Sequence, residues 1–132
     1  MEKLIMKDRG VIKVLVVNDN QKACNRFKRF LTNAGCKVYV VNDGGSALEV
    51  LKNTTIDIVL LNIMIPDGMR YLKYIKKTHP EMPVIMTSGL KDARADIKFM
   101  DSGAFAYLSQ PINFEHLQSF LMSSVLYNIK YN

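Results

Sequence analysis

Short polar residues recur along this chain directly after runs of apolar, β-branched residues. If those runs are parallel strands of one sheet, the residues that follow them meet at its carboxyl edge, where open α/β sheets bind ligands. Amide, carboxylate and hydroxyl groups gathered there could bind a small ligand or an ion, with Asp19, Asn62 and Gln110 as the principal candidates. The positions concerned are Asn18-Asp19, Asn42-Asp43, Asn62, Thr87-Ser88 and Gln110-Pro111.

The apolar runs alternate with stretches of helical periodicity. Strands are predicted over 11–17, 37–41, 57–61, 83–87 and 104–108, and helices over 20–34, 44–53, 69–78, 91–102 and 112 to about 128. Alternating strands and helices imply parallel strands joined by right-handed crossovers. Because the strands are almost continuously apolar, both faces of the sheet must be covered. The sequence therefore predicts a five-stranded, doubly wound α/β domain.

Length and composition exclude several classes of protein. The chain has 132 residues, of which 48% are hydrophobic and 23% charged, so one globular domain over 11–132 after a tail of 1–10 is expected, and disorder is not. No apolar run approaches the roughly 20 residues of a membrane span, and no signal peptide is evident. Only Cys24 and Cys36 are present, without CxxC spacing, which favours two free thiols and a cytoplasmic protein.

Four motifs at the predicted strand ends carry a resemblance to a known family. They are VLVV before Asn18-Asp19, Asn62 four residues before Pro66, Thr87-Ser88 after the fourth strand, and Tyr107 three residues before Gln110-Pro111. The pattern resembles the receiver domain of two-component response regulators from about residue 11 to residue 129. The resemblance implies a flavodoxin-like (βα)5 three-layer sandwich with sheet order 2-1-3-4-5. It also implies a signalling module that is not an enzyme.

The sequence departs from the family at the residues that carry its chemistry. Asn62 stands where the family has its phosphoacceptor aspartate, Gln110 where it has a lysine, and Asn18 where it has a metal-binding acid. Asp19 is the one carboxylate of the family's metal site that this sequence retains. Met64 stands at the position whose backbone carbonyl binds the metal in the family. Since Mg²⁺ prefers anionic oxygen ligands, we expect its binding to be lost or weak and no cofactor to be held. An amide cannot form an acyl phosphate, so phosphorylation is expected to be lost as well.

Alternatives stay open for several of these side chains. Asp19 is either a residual ligand or, as we prefer, the residue that caps the first helix. Asn62 and Gln110 either form a hydrogen-bonded amide cluster or reflect drift after function was lost. Thr87 and Tyr107 correspond to the family's conformational switch, but without its trigger we expect Thr87 to bond locally and Tyr107 to pack. The loop at Pro66-Asp67-Gly68 is shorter than in the family, which further weakens the metal ligand at Met64.

The net charge of +6 raises the question of nucleic-acid binding. The bases form two clusters on helices that, in this fold, cover opposite faces of the sheet, so they cannot form one continuous stripe. We expect two solvated faces and no nucleic-acid binding, with docking of an acidic protein partner as the alternative. The clusters are Lys22, Arg26 and Arg29 on the first helix and Arg70, Lys73, Lys76 and Lys77 on the third.

The last predicted helix is apolar on more sides than burial against a sheet requires. Met122, Leu126 and Ile129 form a second apolar stripe, which predicts a homodimer or a docked partner. The sequence thus predicts a pseudo-receiver that acts by contact with signalling proteins, such as a histidine kinase or an output protein. The alternative function is a module that binds a small ligand or an ion through Asp19, Asn62 and Gln110 in the strand-end cleft.

Overall fold

A computed structural model describes residues 10–88, 100–109 and 111–131, with only the backbone of 125–131. Four complete helices and five strands are described in it. The strands are β1 Lys13–Val17, β2 Lys37–Val41, β3 Ile58–Asn62, β4 Val84–Ser88 and β5 Ala106–Ser109. The helices are α1 Gln21–Asn33, α2 Gly44–Asn53, α3 Gly68–Thr78 and α4 Phe114–Tyr131. The helix predicted over 91–102 falls mostly outside the described residues, of which Met100 and Asp101 are helical.

The five strands form one parallel sheet in the order β2-β1-β3-β4-β5. β1 and β3 are central neighbours, with Val16 opposite Leu60, and β4 continues the sheet with Thr87 opposite Asn62. The predicted flavodoxin-like sandwich and its strand order are confirmed. Each predicted strand is found, with the boundaries of β2 as predicted and those of the other strands shifted by no more than two residues.

Alternation along the strands divides the core into two layers. Val14, Val16 and Leu60 face the layer covered by α1 and α4, where Leu31 and Leu117 are fully buried. The intervening residues of β1 and β3 face the opposite layer, covered by α2 and α3. That layer is built around Leu15, Val17, Leu61, Leu72 and Ile75. Burying each such side chain stabilises the fold by about 1.5–3 kcal/mol, which explains why both faces must be covered.

The first helix begins one residue later than our capping prediction required. Asn20 is its N-cap, with Oδ1 accepting a hydrogen bond from the Ala23 amide at 2.9 Å. The expectation that Asp19 caps this helix is therefore wrong. The reason is a turn in which Asn18 Oδ1 accepts from the Asn20 amide at 2.9 Å and sets Asn20 in the cap position.

The two basic clusters lie on opposite faces of the sheet, as expected, because α1 and α3 cover different core layers. Lys76 is an exception to the expected solvated face. It is half-buried, and its Nζ donates to the carbonyl oxygens of Pro80 at 2.8 Å and Met82 at 2.7 Å. Burial lowers the pKa of Lys76. This lysine therefore ties the turn after α3 to the start of β4 and does not belong to a surface patch.

Both cysteines are free and buried, as predicted. Burial raises the pKa of Cys36 to about 11, with the neighbouring charge of Asp57 acting in the same direction. The thiol is therefore protonated at neutral pH and serves as a small core residue. In the part of the chain that the structure describes, no helix has the length and hydropathy needed to cross a membrane.

The short loop between β3 and α3 depends on a glycine. Asp67 adopts a left-handed conformation with φ of 62°, and Gly68 then begins α3 directly against the backbone of Ile63. A Cβ on Gly68 would lie 2.5 Å from the Ile63 carbonyl oxygen. No side chain fits at this position unless the backbone of the loop moves.

We expect Gly68→Ala to lower the free energy of unfolding by about 1–3 kcal/mol, because the clash is with backbone and cannot be relieved by a rotamer change. The matched control is Gly45→Ala in the first turn of α2, where the nearest atom is Asp43 Oδ1 at 3.4 Å. That variant should be neutral or up to about 1 kcal/mol more stable. Urea denaturation of both variants measures the difference, and equal stabilities would contradict the close approach at Gly68.

Candidate functional site

The carboxyl ends of β1, β3 and β4 form a cleft of about 210 Å³. Asn62 lies at the end of β3 beside Thr87, and the Ile63 amide continues the pairing by donating to the Thr87 carbonyl at 2.9 Å. The cleft brings together six of the residues that the sequence singled out, while Gln110 lies outside the described residues. Those six are Asn18, Asp19, Asn62, Met64, Thr87 and Ser88.

Three asparagines join the ends of three neighbouring strands. Asn62 Nδ2 donates to Asn18 Oδ1 at 3.2 Å, which links β3 to β1. Asn42 Nδ2 donates to the Asn18 backbone carbonyl at 3.0 Å, which links β2 to β1. We name these three residues the amide chain. Asn18 and Asn62 are 4% and 9% exposed, so the hydrogen bond between their side chains replaces water that the buried amides have lost, whereas Asn42 is exposed.

Both buried side-chain oxygens of the amide chain also accept backbone hydrogen bonds. Asn18 Oδ1 accepts from the Asn20 amide at 2.9 Å, and Asn62 Oδ1 accepts from the Met64 amide at 3.0 Å. The local loops thus orient both amides, with Asn62 Nδ2 pointing at Asn18. An amide held in this way is neutral and weakly nucleophilic, and it differs in both respects from a carboxylate.

The oxygen atoms that line the cleft are poor ligands for Mg²⁺. Of the residues that the structure describes around the cleft, Asp19 alone carries a carboxylate, and it is exposed. The oxygens of Asn18 and Asn62 already accept hydrogen bonds, and Asn62 directs N–H groups toward Asn18. Among the described residues, no group of three His, Cys, Asp or Glu side chains is placed to hold a metal. Because Mg²⁺ requires several oxygen ligands in near-octahedral geometry, this arrangement offers it little.

The acid closest to β3 in sequence is at the wrong end of the strand. Asp57 precedes Ile58, and its Oδ2 accepts a hydrogen bond from the Lys13 amide at 2.8 Å. At about 3.3 Å per residue, the length of β3 places it roughly 16 Å from Asn62. Asp57 therefore closes the amino edge of the sheet and cannot substitute for a carboxylate in the cleft.

The sequence placed Asn42 at a strand end and predicted Cys24 to be a free thiol, but it did not predict the contact of either with Asn18. Cys24 Sγ donates to the Asn18 carbonyl at 3.1 Å, so this carbonyl accepts from both side chains. Burial and, to a smaller extent, the charge of Asp19 raise the pKa of Cys24, which keeps the thiol a donor. The recurrence of asparagine after three successive strands was the signal that could have revealed the amide chain.

The predicted switch and interface residues lie outside the amide chain. Thr87 is buried in the cleft, and Tyr107 is half-buried and packs against the α2–α3 core layer as expected. Met122 is half-buried against the α1–α4 core layer, so only part of its surface is open to a partner. The side chains of Leu126 and Ile129 lie outside the described part of the chain. The interface over these three residues stays a prediction.

We expect Asn62→Asp to lower stability at pH 7 by about 1–3 kcal/mol, because it replaces a buried donor with an oxygen facing Asn18 Oδ1. On acidification toward about pH 4 the loss should shrink, since protonation restores a donor at residue 62. Thermal unfolding across this pH range measures both effects.

The control for this variant is Asn25→Asp, the same chemical change at an exposed residue of α1. Asn25 Oδ1 accepts from Gln21 Nε2 at 3.0 Å, and an aspartate can accept the same bond. Its effect should stay within about 0.5 kcal/mol. Equal effects of the two variants would show that the Asn62–Asn18 hydrogen bond contributes nothing.

Comparison with known proteins agrees with this geometry. Residues 14–122 match the sequence profile of the response regulator receiver domain. The chain is 31% identical over 112 residues to the transcriptional regulatory protein ZraR of Escherichia coli K12, covering 83% of this chain and 25% of that protein. It is 35% identical over 109 residues to the DNA-binding transcriptional regulator NtrC of the same strain, covering 81% and 23%. The chain therefore spans about a quarter of the length of these relatives.

Solved structures share the architecture over nearly the whole chain. A response regulator receiver domain protein from Clostridium thermocellum has a TM-score of 0.85 at 28% identity and covers 92% of this chain and 100% of its own. A CheY-like receiver domain protein from Methanospirillum hungatei JF-1 has the same TM-score at 24% identity, with coverage of 93% and 100%. Sheet order, strand-end cleft and profile match agree, and this chain belongs to the response regulator receiver domain family of two-component signalling.

Proposed function

We propose that this receiver domain signals through protein–protein contact and does not take up phosphate at residue 62. The observation that carries the proposal is the buried Asn62 amide, whose Nδ2 donates to Asn18 Oδ1 and whose Oδ1 accepts from the Met64 amide. Both ends of the side chain are engaged in neutral hydrogen bonds. A pseudo-receiver of this kind keeps the fold of the family without the chemistry of its phosphoacceptor.

The chemical reasoning concerns charge. Formation of an acyl phosphate requires a carboxylate oxygen to attack phosphorus, and the anionic groups that meet there need cations to reduce their repulsion. Asn62 supplies no such oxygen, and Asp19 is the one carboxylate among the described residues that line the cleft. The amide chain joins the strand ends directly, so its hydrogen bonds need no cation between them.

The expected partners are signalling proteins, such as a histidine kinase or an output protein. ZraR and NtrC are named as transcriptional regulators, and NtrC as DNA-binding, but this chain spans only about a quarter of either protein. The two basic helices lie on opposite faces of the sheet and make no continuous stripe for a duplex. The separate basic faces of α1 and α3 therefore support contact with another protein better than they support binding of a nucleic-acid duplex.

Incubation with acetyl phosphate and Mg²⁺ should leave the intact mass of the protein unchanged, because an amide at residue 62 cannot form an acyl phosphate. A receiver with aspartate at this position, treated in parallel, serves as the positive control. Phos-tag electrophoresis and intact-mass spectrometry both measure the result. A stoichiometric phosphoryl adduct that hydroxylamine removes, and that maps to residues 58–64, would contradict the proposal.

Adding ~10 mM Mg²⁺ should leave the melting temperature of the wild-type protein almost unchanged, whereas the double change Asn18→Asp, Asn62→Asp should gain about 1.4 kcal/mol at a Kd near 1 mM. The control is Asn25→Asp, Asn33→Asp, which adds the same charge at exposed residues of α1. This test also addresses the alternative function of ion binding in the cleft. A wild-type increase of several degrees that Asp19→Asn abolishes would favour that alternative.

A further inference from the structure

A second concave site lies on the outer side of the α1–α4 layer. It is a groove of about 260 Å³ between the two helices and shares no lining residue with the strand-end cleft. We name it the α1–α4 groove. It is lined by Arg26, Arg29, Phe30, Asn33 and Phe114.

The floor of the groove is aromatic and supported by the core. Phe30 and Phe114 are half-buried, with ring centroids 4.8 Å apart, and Phe27 packs edge-on against Phe114 at 6.1 Å. Phe27 itself is 4% exposed and belongs to the α1–α4 core layer. The apolar floor is therefore held in place by buried neighbours, and the exposed parts of Phe30 and Phe114 line the groove.

The rim of the groove is cationic and in part preorganised. The guanidinium of Arg26 lies 5.5 Å from the centroid of the Phe114 ring, a cation–π contact that restricts its side chain. Arg29 lies one turn further along α1 and is exposed. An arginine already held in position loses less conformational entropy when it binds a carboxylate, and its planar group can do so with two hydrogen bonds.

The charge on α1 is not balanced within the described part of the molecule. The helix contains four bases and no acid, and none of these bases makes an ion pair with another described residue. Like charges three or four residues apart destabilise a helix by about 0.2–0.5 kcal/mol per pair. Lys22 and Arg26, and Arg26 and Arg29, have this spacing. The bases thus reduce the stability of the isolated domain, and an acidic partner would offset that cost.

We propose that the α1–α4 groove binds an acidic segment of another protein. Carboxylates of that segment pair with Arg26 and Arg29, and one apolar side chain between them packs on Phe30 and Phe114. This inference goes beyond the proposed function and does not depend on whether residue 62 accepts phosphate. It predicts an acidic partner for the basic face of α1 and none for the basic face of α3.

Charge and ring geometry select this occupant over two others. A second copy of the chain also carries a net charge of +6, so pairing two such grooves would bring like charges together. Single-stranded nucleic acid binds by stacking its bases on open aromatic faces. Here the Arg26 guanidinium lies 5.5 Å from the centroid of the Phe114 ring and Phe30 packs against the same ring, so a base could stack on Phe114 only by displacing one of them. An apolar side chain flanked by carboxylates fits this combination better than a base does.

The test uses the full chain and a fluorescently labelled peptide in which glutamates flank one central phenylalanine. Fluorescence anisotropy at low salt should show saturable binding. Replacing the phenylalanine of the peptide by alanine, or Arg26 and Arg29 of the protein by glutamine, should each weaken it at least tenfold, or about 1.4 kcal/mol. Circular dichroism melting checks that every variant stays folded.

Two matched controls separate the groove from net charge. Lys73→Gln, Lys77→Gln removes two exposed charges from α3 on the opposite face and should change binding less than twofold. Asn33→Glu places a repelling carboxylate at the groove and should weaken binding at least fivefold. Asn53→Glu makes the same change at the end of α2 and should have little effect.

Three results would overturn the inference. The first is the absence of saturable peptide binding at low salt. The second is equal weakening by the α1 and α3 variants, which would mean that net charge alone attracts the peptide. The third is displacement of the peptide by single-stranded polyuridylate, if the polyuridylate binds more tightly than the peptide and its binding requires Arg26 and Arg29. That result would make the groove a nucleic-acid site.

Discussion

The structure depends on a central strand that is buried from end to end. All five residues of β3 are buried, and β3 pairs in parallel with β1 on one side and β4 on the other. Parallel neighbours can be joined only by crossovers, so helices must cover both faces of the sheet. Every strand then leaves the sheet at the same edge. The cleft exists because this constraint collects the residues after β1, β3 and β4 in one place, whatever their chemistry.

What the cleft can do is set by side chains that differ little in shape from aspartate. Asparagine has nearly the volume of aspartate, so it occupies the same space at residues 18 and 62 without disturbing the strands. The electrostatics are nevertheless reversed. Neighbouring carboxylates repel one another and need a cation, whereas an amide carries both a donor and an acceptor and can pair with another amide directly. Asn62 and Asn18 do this at 3.2 Å, so a neutral hydrogen bond joins the ends of these two strands.

The basic residues show that charge on a helix can serve different purposes. Lys76 reaches two carbonyl oxygens beyond the end of α3 and fixes the turn before β4. Arg70 lies 4.0 Å from Asp67, but both side chains are largely exposed, so this ion pair contributes little. Arg26 and Arg29 instead surround an aromatic floor. The basic residues of α1 and α3 thus include a structural tie, a solvated face and the rim of the groove for which we propose an acidic partner.

The sequence by itself determined the architecture and the location of the cleft. Apolar periodicity is a local signal that reports which side of each element is buried, and alternation of strands and helices then leaves few topologies. The end of α1 was predicted to within one residue, and Gly35, which follows the helix, takes a φ of 95° that favours glycine. Asn62 was predicted to hold the family's phosphoacceptor position from its place after the third strand, four residues before Pro66, together with the motifs at the other strand ends.

Only the tertiary structure decided how the polar groups pair. Asn18 and Asn62 are 44 residues apart in sequence, and the direction of their hydrogen bond follows from loops that orient each amide separately. The same loops made Asn20, and not Asp19, the cap of α1. The sequence did not distinguish Lys76 from its exposed neighbours. The partners of a lysine depend on where the ammonium group at the end of its long side chain lies, and the position of the residue in the sequence does not report this. Polar pairing depends on distances of a few tenths of an ångström between distant segments, and no local pattern of residues encodes those distances.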